Sequence, residues 1–351
     1  MALVHLGANL GSKCSSPPPP QPARAQKFPF EQALINCDEQ MDQYEREDMQ
    51  ELALTHVPID QLYNTASEIQ SSLTPLPSFD DALAEALVKW FKPNFMEWVD
   101  PMLCTNSLCK EEVDDKGQPT GKKVKMKMRR MDGPRSAEEK QGGAGRVEVH
   151  ACPNCGTESR FPRYNSLESL MKSRKGRCGE FANLFTVFLR AIGLRARYVW
   201  NAEDHVWNEY YSTALNRWVH LDSCENARDQ HHLYSKGWGK KMSLVVAFSV
   251  DGGAMDVSRT YIPEDKWDEA MRMRQYSDTQ LEEVLQRIRA RRRGYLSKSE
   301  LERLEAEDYR DHNWWKASNK SGAEGNQIPE GESGRKSGTT EWTEARGEAG
   351  K

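Results

Sequence analysis

Apolar residues recur at helical spacing over Asp80–Phe91 (DDALAEALVKWF), with Leu83, Leu87 and Trp90 on one side. The spacing predicts a helix that Asp80 or Asp81 can cap. Phe30–Gln50 is acidic and repeats the pattern more weakly, with Leu34, Ile35, Cys37 and Met41 along one side of an amphipathic helix. From Leu167 the pattern becomes that of an α/β core. Ser166–Ser173 reads as a short helix and Cys178–Ile192 as a longer one. Three strand-like runs follow, Ala196–Asn201, His205–Ser212 and Arg217–Asp222, with Ala214–Asn216 as the turn between the last two. Leu244–Ser249 is a further apolar run. It precedes a hairpin-type turn at Asp251–Gly253 that leads to another short strand near Arg259–Ile262. Glu264–Trp315 is charged and helical in pattern.

The ends differ in kind. Ser15–Pro20 (SSPPPP) and the residues after it lack periodicity, so 1–29 is expected to be a disordered leader. Residues 30–80 form an N-terminal helical extension and 81–262 the core, with a compact cysteine-bearing segment at 98–163. Residues 263–315 form a C-terminal helical region, and the Gly, Ser, Glu and Lys content of 316–351 is that of a disordered tail. Within the cysteine-bearing segment, Lys110–Gly145 contains KKVKMKMRRMDG. Its basic run lacks interleaved aromatics and faces acidic neighbours, so it is expected to be a solvated surface insertion. No internal repeat is visible.

Composition narrows the function classes. The formal net charge of −4 implies no global attraction to nucleic acid or to a membrane surface. No stretch approaches the ~18–20 apolar residues of a membrane span, and Met1–Leu10 lacks the basic region of a signal peptide. A cytoplasmic, reducing compartment is therefore expected. There, eight cysteines are better read as metal ligands, a nucleophile and core thiols than as a disulfide framework.

Cys104 and Cys109 form a C-x4-C pair, and Cys152-Pro153-Asn154-Cys155 a C-x2-C pair followed by Gly156. Four thiolates can close a tetrahedral zinc site and staple two distant knuckles, leaving no open position for chemistry. A redox pair is the competing reading of Cys152 and Cys155.

The segment Gly176-Arg177-Cys178-Gly179-Glu180 opens an apolar helix. A cysteine there lies among unpaired backbone N–H groups at the positive end of the helix dipole, which favours the nucleophilic thiolate. A buried cysteine without chemistry is the alternative. The order of partners tips the balance: His205 begins one strand-like run and Asp222 closes the next. Adjacent antiparallel strands can bring both to one sheet face, where imidazole takes the thiol proton and carboxylate fixes the imidazole.

These residues, in this order, resemble the transglutaminase-like (papain-like) superfamily, and within it the cytoplasmic peptide:N-glycanases. The resemblance is carried by Leu87–Lys92, Gly145–Glu148, Arg160–Asn165, Gly176–Glu180, Ala182-Asn183, Arg195–Val199, Asp204–Trp207 and His220–Glu225, from about Asp81 to Ile262. It implies an α+β fold: a nucleophile helix packed on an antiparallel sheet, a zinc-binding subdomain and flanking helices. It also implies cleavage of the amide between asparagine and the first sugar of an N-glycan, on misfolded glycoproteins in ER-associated degradation. Cys178, His205 and Asp222 become the catalytic triad. Cys104, Cys109, Cys152 and Cys155 hold one structural zinc ion, although the family's first pair is usually C-x2-C. Trp98, Trp207 and Glu209 would contact glycan or peptide; for tryptophans, core packing is the alternative. Arg197 is either a cleft residue or a strand salt-bridge partner, and Cys224 a core thiol. Phe181 stands where the family usually has tryptophan.

A proteasome-shuttle protein of the ubiquitin-receptor type is the partner implied, with the nucleus as a second compartment. Two other classes stay open: a non-catalytic adaptor for such shuttle proteins, and a cysteine protease or transglutaminase on the same fold.

Overall fold

The computed structural model describes residues 27–321, with side chains as far as Lys316. The leader expected over 1–29 and the tail expected over 316–351 thus lie almost wholly outside the described residues. Where they overlap, Phe28 is buried in the core, and the last helix runs on to Ser321.

The chain begins with α1 (Glu31–Gln40), a 3-10 turn at Met41–Glu45, α2 (Glu47–His56), α3 (Ile59–Gln70) and α4 (Phe79–Asn94). The single helix expected over Phe30–Gln50 is therefore two. Arg46 is extended and starts α2 afresh, with Glu47 and Asp48 at the positive end of the new helix dipole. The α4 cap is Ser78, whose hydroxyl accepts the Asp81 N–H at 3.2 Å, rather than either aspartate. Asp81 instead points inward, fully buried. It accepts the Tyr210 hydroxyl at 2.6 Å and the Ser212 hydroxyl at 3.1 Å, tying α4 to the sheet.

Next come β1 (Glu97–Trp98), β2 (Lys127–Asp132), α5 (Ala137–Gln141), β3 (Val147–Ala151), β4 (Glu158–Pro162), α6 (Leu167–Ser173), β5 (Lys175–Gly176) and α7 (Cys178–Ala191). β2, β3 and β4 form an antiparallel sheet of their own. This corrects the reading of KKVKMKMRRMDG as a solvated loop. Val124 and Met126 are buried while Lys125 and Lys127 face out, the period-two alternation of a strand approaching a sheet edge.

The remainder is β6 (Ala196–Asn201), β7 (His205–Ser212), β8 (Arg217–Asp222), β9 (Ala227–Arg228), a π-helical turn at Leu233–Gly237, β10 (Val245–Ser249) and β11 (Gly253–Asp256). It closes with α8 (Ser258–Tyr261), α9 (Glu264–Met273), α10 (Asp278–Arg293) and α11 (Lys298–Ser321). The six strands form an antiparallel sheet in the order β11-β10-β6-β7-β8-β9. The strand expected near Arg259–Ile262 is corrected. Gly253, at φ +80, lets the hairpin turn at once, so β11 pairs over Gly253–Asp256 and the chain then coils into α8.

α7 covers one face of this sheet, across β6 and β7, and is itself covered by α2. One hydrophobic cluster joins Leu34, Tyr44, Met49 and Leu62 of the N-terminal helices to Phe181, Phe185 and Phe188 of α7, and to Leu281, Leu285 and Ile288 of α10. The helices expected to flank the core are thus part of it. The opposite sheet face carries a second cluster, built on Val199, Trp207, Tyr234, Trp238, Val245 and Tyr261.

Candidate active site

Cys178 is the first residue of α7, and its entry geometry is fixed from both sides. Glu180 accepts the Arg177 N–H at 2.9 Å, a carboxylate closing the first turn of its own helix. Gly176 must be glycine, because a Cβ there would lie 2.3 Å from the Glu180 Cβ. β5 pairs with β1, setting Trp98 beside Gly176, with the indole edge-on to Phe181 at 5.6 Å.

Around this turn lies a buried network of charges. Glu148 on β3 receives the Arg177 guanidinium on both oxygens, at 2.9 and 2.8 Å, and also Arg163 at 3.0 Å and His150 at 3.0 Å. Arg163 in turn bridges to both Glu180 oxygens, at 2.7 and 3.0 Å. Burial pushes the Glu148 carboxyl upward, but His150 and the two arginines prevail and hold it at about 2. Removing one member of such a network strands the others in low dielectric. Glu148→Ala is expected to cost about 3–5 kcal/mol, measured by urea unfolding; a change within about 0.5 kcal/mol, the range of an ordinary surface substitution, would show that the network does not hold α7 in place.

His205 opens β7 and Asp222 ends β8. The register pairs Asn208 with Leu221, which sets Asp222 opposite Trp207 and puts both His205 and Asp222 on the face away from α7. They meet at the strand ends: His205 Nε2 lies 2.9 Å from Asp222 Oδ2. Cys178 lies close enough for its sulfur to act on the His205 ring. The structure therefore brings all three residues together. Burial alone lowers the basicity of His205, but the Asp222 carboxylate and the Cys178 sulfur overcome it and raise the ring to about 9. Burial likewise disfavours ionised Asp222, yet the bonds from His205 and Tyr234 and the charge of His205 hold it well below the usual carboxylate range. Its second oxygen, Oδ1, accepts the backbone N–H groups of Cys224 at 2.7 Å and Glu225 at 3.1 Å. A nucleophilic thiol, an imidazolium and a buried carboxylate in sequence are the groups that acyl transfer from an amide requires.

The expected substrate contacts need correction. Trp207 is 1% exposed and stacks along His205 at 5.7 Å, so it is a wall of the histidine site and not a sugar platform. Glu209 is 2% exposed; it is paired with Arg197 and accepts the Tyr261 hydroxyl at 2.5 Å. Arg197 also pairs with Asp311 of α11 at 2.6 Å and lies over the Trp218 ring, which makes it a structural ion-pair residue. Trp98 remains half-buried beside the nucleophile turn. Cys224 is a buried thiol, as expected.

Residues that pattern reading missed are Tyr234 and Trp238, edge-on to His205 at 4.9 and 5.1 Å. They come from His231–Gly239, which has no periodicity. The only local signal there is an unusual density of aromatic and histidine side chains.

Cys104, Cys109, Cys152 and Cys155 converge, with all four sulfurs within 4.8 Å of one another. The Cys104–Cys155 and Cys109–Cys152 separations are both 3.6 Å, near the about 3.8 Å edge of a tetrahedron with 2.3 Å metal–sulfur bonds. The C-x2-C half lies on the β3–β4 turn, where Gly156, at φ +72, donates its N–H to the Cys152 carbonyl at 2.9 Å. The wider C-x4-C half accommodates its extra residues by projecting Leu108 into solvent. Four soft donors at this spacing fit a metal ion.

The transglutaminase-like superfamily profile matches residues 129–223, and the Rad4 transglutaminase-like domain profile matches residues 200–315. A Yarrowia lipolytica protein named peptide-N(4)-(N-acetyl-beta-glucosaminyl)asparagine amidase is 40% identical over 309 residues, covering 88% of this chain and 81% of its own. Its Saccharomyces cerevisiae namesake is 38% identical over 78% of this chain and 72% of its own. The Rattus norvegicus namesake is 37% identical over 74% of this chain but only 38% of its own. A chain from the crystal structure of Rad4-Rad23 bound to a 6-4 photoproduct UV lesion is 13% identical, at a TM-score of 0.47, with 86% of this chain and 58% of that one covered. Among the described residues no helix is long and apolar enough to cross a membrane.

Proposed function

Because the chain belongs to the peptide-N(4)-(N-acetyl-beta-glucosaminyl)asparagine amidases of the transglutaminase-like superfamily, we propose that Cys178, His205 and Asp222 carry its amide hydrolysis. The observation that supports this is the 2.9 Å His205–Asp222 contact, with the Cys178 sulfur near enough to act on the same ring. The Cys178 sulfur attacks the side-chain amide carbon of glycosylated asparagine. The oxyanion is held by N–H groups of the first turn of α7, which have no intrahelical partner. His205 gives its proton to the departing glycosylamine, leaving a thioester. Water, deprotonated by His205, then adds to the thioester carbon; the sulfur leaves, and aspartate stands where asparagine was. Trp98 is proposed as the wall of the cleft beside Cys178.

The non-catalytic adaptor reading is not favoured, since relatives named as amidases match most of the chain. Protease or transglutaminase activity is separable by experiment. Glycan release from a denatured high-mannose glycoprotein, against a peptide-bond substrate and an amine acceptor, tests the assignment. Cleavage of the peptide bond alone would overturn it.

The direction of the His205 shift sets a pH limit. Its folded value is raised from 6.5 to about 9, so the imidazolium persists through neutral pH and loses its proton near 9. The stabilisation it brings is complete below about 6.5 and fades as pH rises through 9. kcat/KM is expected to fall with an apparent basic limb near 9; a limb at 6.5 would mean that Asp222 does not support the ring.

Zinc is the metal proposed for the four-cysteine cluster, as a structural ion with no step in the reaction; metal analysis of freshly purified protein tests it. Action on misfolded N-glycoproteins in ER-associated degradation, a cytoplasmic location and a ubiquitin-receptor shuttle partner are proposed from the family resemblance. Co-purification with such a receptor, followed by loss of binding on deleting α11, checks the last.

A further inference from the structure

Asp222 Oδ2 accepts two bonds, one from His205 and one from the Tyr234 hydroxyl at 2.8 Å. That hydroxyl lies 2.7 Å from His220 Nε2, and His220 Nδ1 accepts the Gln230 backbone N–H at 3.3 Å. A ring nitrogen that accepts a backbone N–H carries no proton, so in neutral His220 the proton is on Nε2. It follows that His220 donates to the Tyr234 oxygen, and Tyr234 has its own proton left for Asp222. Every donor in this line points toward the carboxylate. The two residues come from different elements, β8 and the π-helical turn, and both are buried.

We propose that Tyr234 and His220 are positioning residues for the reaction, a buried donor relay that orients Asp222 and sets how strongly it draws the His205 proton. The proposal rests on the triad assignment above. Tyr234 withdraws part of the Oδ2 charge that would otherwise act on His205 alone. It also fixes the carboxylate plane, and with it the orientation of the His205 ring beside Cys178. The titratable groups around the ring are Cys178 from α7, Asp222 and His220 from β8, Tyr234 from the turn, and Cys224 and Glu225 beyond β8. Burial keeps both relay members in the forms the geometry needs. It lowers His220 to about 4, and it raises the Tyr234 phenol well above its usual value, with the charge of Asp222 adding to the effect.

The test uses the full chain and the isosteric Tyr234→Phe, which keeps the ring packed against His205, Trp207 and Trp238 while deleting the hydroxyl. Expected are a fall in kcat on the order of 10- to 100-fold, KM within about twofold, and a His205 ring titration, read by NMR, shifted to higher pH. A role in packing alone would leave that titration unmoved. His220→Gln and His220→Leu form the second pair. The glutamine amide can still donate to Tyr234 and is expected to retain most of the activity, whereas leucine is expected to match Tyr234→Phe. Unchanged kcat and unchanged titration in Tyr234→Phe, or equal losses in the glutamine and leucine variants, would overturn the relay. If Tyr234→Phe fails to fold, the His220 pair decides. Glycan release that survives Cys178→Ala would instead sink the triad assignment itself, so the two failures are distinguishable.

Discussion

Cys178→Ala is expected to abolish glycan release from a denatured N-glycoprotein, with kcat falling on the order of 10⁴- to 10⁶-fold. The other described thiols are held elsewhere in the fold. Cys224 is buried beyond Asp222, and the four cysteines of the cluster gather about the β3–β4 turn. Cys178 is nearly buried, and alanine differs from it by one sulfur, so the helix and its Glu148–Arg177 anchor should survive. The thermal midpoint is expected to move by no more than a few degrees. The comparison with Asp222→Asn is informative. An amide at that position can present N–H to His205 Nε2 and impose the wrong tautomer, so a loss on the order of 10⁴-fold is expected with little change in stability. Mass spectrometry of the substrate separates these outcomes from trivial loss of binding, since each turnover leaves aspartate in place of asparagine. Release by Cys178→Ala at the wild-type rate would falsify the nucleophile assignment outright.

Stripping the zinc proposed for the four-cysteine cluster, or replacing Cys152 by serine, is expected to have the largest effect on stability. The cysteine-bearing module has a small core: its buried apolar cluster is Cys104, Val124, Met126 and Cys152, half of it from the four-cysteine cluster, with Val147, Val149 and Phe161 buried on its sheet. A structural zinc ion contributes on the order of 10–16 kcal/mol to small domains of this kind, far more than so few apolar side chains can replace. Its loss should release β2, β3 and β4 while the sheet under α7 persists. The effect need not stop there. β3 carries Glu148, which holds Arg177 one residue before the nucleophile, so loosening β3 frees the start of α7. Hydrogen exchange is expected to show protection lost over residues 97–163 and at 176–180, with activity falling alongside. Retained protection in both segments after verified metal removal would contradict the account.

What could be read in the sequence depends on where the governing interaction lies. β6, β7 and β8 have the bounds expected from pattern, because turn residues punctuate them; Asp204 and Asn216 adopt positive φ in the turns on either side of β7. The convergence of His205 and Asp222 follows from those bounds and an antiparallel register. The run into β2 was also written in the alternation of Val124, Lys125, Met126 and Lys127, but its charge masked the period. Other features are decided by partners far along the chain. Glu209 looked available for substrate until Arg197 and Tyr261 enclosed it. Asp81 looked like a cap until Tyr210 and Ser212, 129 and 131 residues away, claimed it. Tyr234 lies in an aperiodic stretch, and only the folded site gives its hydroxyl a role.

Arg195 and Arg197 stand at the start of β6; each has a nearer carboxylate partner, Asp251 and Glu209, and a far one, Glu307 and Asp311, 112 and 114 residues later. During synthesis the strand that pairs with the histidine-bearing β7 therefore leaves the ribosome with only the first of its two sets of counter-charges close behind. Until α11 emerges, each guanidinium has one carboxylate in place of two, so burying it is less favourable. α11, the last helix among the described residues, thus completes the charge pairing of the strand beside the one that carries His205.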